Sequence, residues 1–292
     1  MTIAVYARNT KDNHPLYLEK LNALLKKEKV NLIVYEPYYQ FLKKEYHYNV
    51  ILKTFSCSDS LKSKADYVVC LGGDGTILET IALVRKSGIP VLGVNTGRLG
   101  FLASVSKDDI EKAVSLLIKE KFNLDKRELL EIIGGEEQFD NVNYALNEFA
   151  IHKKDSSAMI NIDTYVDDVF VNSYFADGLI VSTATGSTAY SLSCGGPIMI
   201  PDSENFIITP IASHNLNVRP IVIPNNRTLR FKVAGRNESF NISLDSRMSQ
   251  FALSTEIAII KADFRFNLIA FEGQHFFETL RNKLLWGLDK RH

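Results

Sequence analysis

Apolar residues fall in short continuous runs through the first third of the chain and in alternating positions through the middle, and that change of period organises the reading. Residues 3–7, IAVYA, predict a strand. After a polar loop, Leu18, Leu21, Leu24 and Leu25 recur at helical spacing, and Val30 to Tyr35 renews the strand pattern. A weaker helical pattern runs through the aromatic-rich residues 38–48. YVVCL at 67–71 is apolar throughout, as in a strand buried on both faces, and GGDG with the helix-like TILETIALVRK follows at once. IPVLGV at 89–94 predicts a further buried strand leading into NTGRLGFLA. Ser106 and Asp109 have capping-box spacing ahead of Ile110, Ala113, Val114 and Leu117, which predicts a helix leading out of this lobe.

Beyond residue 125 the pattern changes. ELLEII, AMINIDTYV, DVFVNSYF, TLRFKVAG, FNISLDS and EIAIIKA are strand-like, and Leu229, Phe231 and Val233 alternate. The segment PIASHNLNVRPIVIP interrupts them as a long loop. Near the end, Phe276, Phe277, Leu280, Leu284 and Leu285 return to helical spacing before Gly287. The expected fold is an α/β amino-terminal lobe plus a mainly antiparallel β-sheet carboxyl-terminal domain, with a terminal helix packing back. The boundaries drawn from these patterns are 1–120, 121–270 and 271–292. No internal repeat or low-complexity tract is present.

Composition narrows the functional classes. A length of 292 residues suits about two domains. The 34 basic and 34 acidic residues cancel, so no overall field favours nucleic acid or a membrane surface. No apolar run approaches the roughly 18 residues of a membrane span, and the first residues, MTIAVYARN, lack the pattern of a secretory signal. A cytoplasmic protein is expected. Cys57, Cys70 and Cys194 form no CxxC pair and no even disulfide framework.

Three segments carry candidate chemistry. In LGGDGT, Gly72, Gly73 and Gly75 permit a tight turn and close backbone approach at a strand end, while Asp74 brings a carboxylate able to polarise a hydroxyl or help organise a cation. The plain alternative is a glycine turn with a capping aspartate. In FADGLIVSTATGSTAYSLSCGGP, Asp177 precedes an apolar run, and Thr185, Ser187, Thr188 and Tyr190 surround Gly186. Such a loop binds hydroxyls and phosphates, or caps its neighbours. Asn147 and Glu148 add an amide beside a carboxylate. Neither GxxxxGK[ST] nor an ordinary GxGxxG fingerprint occurs, which excludes those two phosphate-binding geometries.

Taken in order, LGGDGT, NTGRLGF, NE, DGLIVSTATGSTAY and TPIASHNLNVRP resemble the motif series of NAD kinases, from about residue 66 to residue 224. The terminal LRNKLLWG is similar to that family's carboxyl tail. GGDG alone is shared with lipid kinases and phosphofructokinases; the ordered series is the specific signal. The resemblance implies transfer of the terminal phosphoryl group of ATP, or in some members polyphosphate, to the adenosine-ribose 2'-hydroxyl of NAD, giving NADP. It implies Asp74 as the catalytic residue, with Gly73 and Gly75 beside phosphate. Asn147, Glu148, Asp177, Thr188, Ala189 and Tyr190 match dinucleotide-site positions, Phe101 would border the same site, Ser193 would contribute a nearby hydroxyl, and Ala212 matches a position that reaches NAD from a neighbouring subunit. Mg²⁺ or another divalent cation is expected with the phosphate donor, without a dedicated protein metal cage. The expected partners are the dinucleotide, the phosphate donor and further copies of the chain, as a homodimer or homotetramer. Arg98, His214 and Arg219 are left without an assigned role. Two departures stand out: Ala184 replaces the proline of STPTG, and Asp245-Ser246-Arg247 replaces D[G/S]Q. A lipid kinase and a non-catalytic NAD-binding sensor are the competing functions.

Overall fold

The computed structural model describes residues 1–10, 15–97, 100–154 and 158–285. The chain separates into two compact units, Met1–Lys126 with Phe266–His292, and Arg127–Arg265.

The first unit alternates strand and helix, as the runs of residues 3–118 predict except for a short strand and helix within 53–62. Its elements are β1 (Thr2–Ala7), α1 (Pro15–Lys27), β2 (Asn31–Tyr35), α2 (Glu36–Tyr46), β3 (Lys53–Phe55), α3 (Ser58–Lys62), β4 (Tyr67–Leu71), α4 (Asp74–Val84), β5 (Val91–Asn95), β6 (Val105–Ser106) and α5 (Ile110–Ile118). The strands pair in parallel in the order β3-β2-β1-β4-β5. The chain therefore builds outward from β1 in one direction through β2 and β3, then in the other through β4 and β5. The carboxyl ends of β1 and β4 flank the reversal, the place where open α/β sheets leave a crevice for ligand. The continuous apolar runs are explained by burial on both faces: Val68, Val69, Cys70 and Leu71 are all buried, as are Leu18, Leu21 and Leu25 of α1. Each such aliphatic side chain contributes about 1.5–3 kcal/mol. Ser106 caps differently from the expected box. Its hydroxyl accepts from the Asp108 amide at 3.3 Å and opens a 3₁₀ turn, with α5 starting only at Ile110.

The second unit contains most of β7 (Asn123–Ile133), then β8 (Tyr144–Ala145), β9 (Glu148–Lys153), β10 (Ile160–Val166), β11 (Val169–Ala176), β12 (Gly178–Ser182), α6 (Tyr190–Ser193), β13 (Asn205–Ile211), β14 (Ile221–Pro224), β15 (Leu229–Ala234), β16 (Ser239–Leu244), β17 (Arg247–Ala252) and the start of β18 (Ile257–Ala270). One antiparallel set runs β11-β10-β15-β18, the other β14-β13-β12-β9-β16-β17. A shared core joins them, with Phe231 of β15 stacked on Phe149 of β9 at 5.7 Å. The alternation of Leu229, Phe231 and Val233 corresponds to buried positions separated by exposed ones. The expected long loop is shorter than its sequence implies, because Pro210 lies within β13 and Ile221–Pro224 forms β14. The last residues of β18 return to the first unit, where Leu268 pairs with Val91 and α7 (Phe276–Leu284) follows.

Candidate active site

In the first unit, the glycines of the turn after β4 act by what they leave out. A side chain on Gly72 would overlap Thr76, and Gly73 serves as the N-cap of α4. Asp74 is the first residue of α4, where the helix dipole favours an anion. Its carboxylate does not cap its own helix. It accepts three consecutive amides instead: Phe101 at 2.7 Å on Oδ2, and Leu102 and Ala103, each at 2.9 Å, on Oδ1. Gly100 permits this approach, since a Cβ there would overlap the Asp74 carboxylate. An ionised carboxylate offers about four acceptor positions; three filled by fixed backbone donors leave one, held in a set direction. The Phe101 ring packs on Phe276 of α7 at 6.3 Å, so the carboxyl-terminal helix braces the loop that holds Asp74. Gly73, Asp74, Gly75 and Phe101 are thus one cluster.

Sequence reasoning missed Arg8. It follows β1 directly, on the other side of the strand-order reversal, and its Nη2 donates to Gly75 O at 3.0 Å and pairs with Glu79 at 2.7 Å. Glu79 is held in turn by the Tyr6 hydroxyl at 2.8 Å. A guanidinium is therefore fixed against the GGDG turn. In sequence it is merely a basic residue after a strand; only the β1–β4 pairing brings it there.

The second unit repeats the three-amide device. Asp245, at the turn between β16 and β17, accepts from the amides of Leu146 at 3.0 Å, Asn147 at 2.8 Å and Glu148 at 3.2 Å. Arg247 donates to the carbonyls of Val142 and Tyr144. The Asp245-Ser246-Arg247 turn thus has a structural role: Asp245, which keeps the pattern, and Arg247, which departs from it, fix the segment 142–148 from its acceptor and its donor sides. Burial raises the Asp245 carboxyl, against the pull of the amides and of Arg247. Burial, with Asp245 alongside, pushes the Glu148 carboxyl up to about 8, against the pull of the nearby Tyr190 amide. The three amides and Arg247 favour the ionised form of Asp245, and Glu148, which has no such set of donors, is the better placed of the two to hold a proton. Buried Glu148 Oε2 has no hydrogen-bond partner in the protein, and an unsatisfied buried acceptor is a strong reason to look for a ligand hydroxyl.

The hydroxyl-rich loop divides into two sets. Thr185 and Ser187 are buried and internally bonded: Thr185 Oγ1 accepts from Arg127 at 3.2 Å, and Ser187 donates to Ala184 O at 2.7 Å. They shape the loop. A Cβ on Gly186 would overlap the Asn147 backbone, so this glycine lets the loop lie against the Asn147-Glu148 segment. Ala184 has φ −58°, the value that a proline ring would impose, so the departure from STPTG keeps the turn. Thr188 and Ala189 are half-buried, Tyr190 and Ser193 exposed. Asn147, Glu148, Thr188, Ala189 and Tyr190 therefore form a second cluster, with Ser193 further along α6. Asp177 pairs with Lys153 at 2.6 Å, and its amide donates to Ile211 O at 3.0 Å. Ala212, next in the chain, is exposed with φ 46°. Arg219 donates to Leu216 O and Val218 O of its own loop, and His214 packs edge-on against Phe175. Arg98 lies outside the described residues. Among the described residues, no group of three or more His, Cys, Asp or Glu is placed to hold a metal ion.

Comparison with known proteins bears on the whole chain. Residues 24–122 match the family model described as ATP-NAD kinase N-terminal domain, and residues 146–271 the ATP-NAD kinase C-terminal domain. The curated NAD kinase of Cytophaga hutchinsonii is 42% identical over 295 residues, covering 100% of both chains. That of Bacteroides fragilis is 38% identical over 291 residues, again covering 100% of both. Among solved structures, yeast NADH kinase complexed with NADH superposes with a TM-score of 0.84 at 24% identity, covering 100% of this chain and 89% of that one. An NAD kinase from Archaeoglobus fulgidus in complex with ATP gives 0.75 at 25% identity, covering 98% and 99%. With both family models matched and curated relatives about 40% identical over their full length, the chain belongs to the NAD kinase family.

Proposed function

We propose that this chain transfers the terminal phosphoryl group of ATP to the 2'-hydroxyl of the adenosine ribose of NAD, producing NADP. The observation that carries the reading is Asp74. Its carboxylate is fixed by three amides at the carboxyl end of β4 with one acceptor position remaining, which is what a hydroxyl nucleophile requires to be held and aimed. The 2'-oxygen forms a bond to the γ-phosphorus, the bond from that phosphorus to the bridging oxygen of ADP breaks, and the hydroxyl proton leaves along its hydrogen bond to Asp74. Little covalent chemistry falls to the protein in such a transfer; alignment and charge neutralisation dominate.

Gly73, Gly75 and Phe101 border the reacting end, and Arg8 supplies a fixed positive charge beside Gly75 for phosphate. In the second unit, Glu148 Oε2 and Asn147 receive hydroxyls of the dinucleotide. Thr188, Ala189, Tyr190, Asp177 and Ser193 line its binding surface, with Ala212 contributed from a neighbouring subunit. Three of the four Asp74 acceptor positions are already filled and no carboxylate cluster surrounds it among the described residues. With the remaining position taken by the hydroxyl, that donor set fits a divalent cation carried in on the phosphates rather than one held by Asp74. Bound there, Mg²⁺ would neutralise phosphate charge.

Homo-oligomer formation is part of the proposal. Edge strand β11 exposes Val169, Phe170, Val171 and Phe175, a surface that a second copy would cover. No helix among the described residues is long and apolar enough to cross a membrane; the cytoplasm is the proposed location. A lipid kinase or a non-catalytic sensor finds no support among the full-length relatives. The test incubates purified chain with Mg²⁺ and each pairing of NAD or NADH with ATP or polyphosphate, and identifies products by mass. A phosphorylated dinucleotide with ATP supports the reading; folded protein that forms none with either donor sinks it.

A further inference from the structure

Strand β9 brings more to the second unit's cluster than Asn147 and Glu148. Side chains alternate along a strand, so Glu148, Ala150 and His152 share one face of β9. The His152 ring lies nearly parallel to that of Tyr190, with centroids 6.0 Å apart and 18° between the planes. This is offset-stacked geometry. The imidazole is anchored from the neighbouring strand by a 3.1 Å hydrogen bond between Nε2 and the hydroxyl of Ser243, a buried residue of β16. Tyr190 is therefore held against this strand face through its ring, by His152. His152 packs against the Tyr190 ring in this offset way, yet Tyr190 remains 38% exposed. An aromatic ring held on one flank and open to solvent, in the same cluster as a buried acceptor lacking a partner, offers a flat surface to a planar ring carrying a nearby hydroxyl.

We propose that His152 is a positioning residue that holds the Tyr190 ring as a platform on which one heteroaromatic ring of the dinucleotide stacks. This rests on the NAD kinase reading. His152 touches no substrate; it fixes the plane that does. The role requires a flat ring at position 152, not merely an apolar group of similar size, and that requirement distinguishes it from simple packing.

The test compares His152→Phe, which keeps a stacking ring, with His152→Leu, which keeps apolar bulk without one. KM and kcat are measured with NAD and ATP varied in turn, and NAD binding is read separately by calorimetry without donor. One stacking contact is worth about twofold to twelvefold in affinity. His152→Leu is expected to raise KM and Kd for NAD by about that factor, with kcat and KM for ATP within about twofold of wild type. His152→Phe is expected to keep both NAD constants within about twofold. Equal NAD affinity in the two variants, or an equal loss, overturns the role, and thermal melting identifies a loss that comes from unfolding. Wild type that binds NAD but makes no NADP overturns the kinase reading alone, since the ranking of variants in binding still decides His152. Wild type that does neither overturns both.

Discussion

Asp74 and Glu148 are both carboxylates in motif positions, and their surroundings give them opposite tasks. Asp74 is tied by amides and keeps one direction open; Glu148 is buried with an oxygen that the protein leaves unsatisfied. Gly100→Ala places a methyl group in the space of the Asp74 carboxylate. Its expected effect is a loss of about 100-fold or more in kcat, since small displacements at a reacting centre cost that much; unchanged steady-state turnover would contradict the described clamp. Glu148 titrates from about 8 in the folded protein, above the ordinary carboxylate value. The folded state therefore binds a proton that the unfolded state has released between the two pKa values. The resulting stability is full below the unfolded pKa and lost as pH rises through about 8. Glu148→Gln removes this dependence, so the variant should gain on wild type by a few kcal/mol, in order of magnitude, between pH 5 and pH 8.5. Denaturant melts at the two pH values check it; a constant difference would refute it. At Ala184 the backbone already has a proline-compatible φ. Ala184→Pro should raise the denaturant midpoint, by about 0.4–1 kcal/mol of stability, through restriction of the unfolded chain.

At the scale of elements, the turn between β16 and β17 reaches back to hold residues 142–148, nearly a hundred positions earlier in sequence. Asp245→Ala would strand three amides and leave Arg247 without its buried counter-charge, a loss of about 3–5 kcal/mol. A midpoint within experimental error of wild type would show the clamp to be dispensable. The elements legible in the sequence were those whose evidence is local. The run YVVCL followed by GGDG declared β4, its turn and α4, because burial on both faces forces an unbroken apolar run and a tight turn demands glycine. Short β3 and α3 lacked enough residues to show a period. β9 was hidden because Asn147-Glu148 stands at its start, and β13 because Pro210 lies inside it. The same limit applied at the site. Asp74, Glu148 and Tyr190 stand in motifs, whereas Arg8, His152 and the bracing role of Asp245 arise from strand pairing that brings distant positions together.

Over the whole molecule, 34 basic and 34 acidic residues leave no net charge to attract two phosphate-rich substrates. Local features must supply the complementarity: the amide-lined turn at the start of α4, Arg8 held by Glu79, and a cation travelling with the donor. Net neutrality is compatible with this chemistry because the compensating groups are placed rather than numerous. The central claim is that Asp74, so held, aims the 2'-hydroxyl at the phosphoryl donor. It is tested most directly by measuring NADP formed from NAD, ATP and Mg²⁺ by wild type and by Asp74→Asn, with NAD binding and thermal melting measured on both proteins. The account predicts NADP from wild type and a fall of about 100-fold or more in the variant, which remains folded and retains NAD binding. Wild-type rates of NADP formation by folded Asp74→Asn would contradict it.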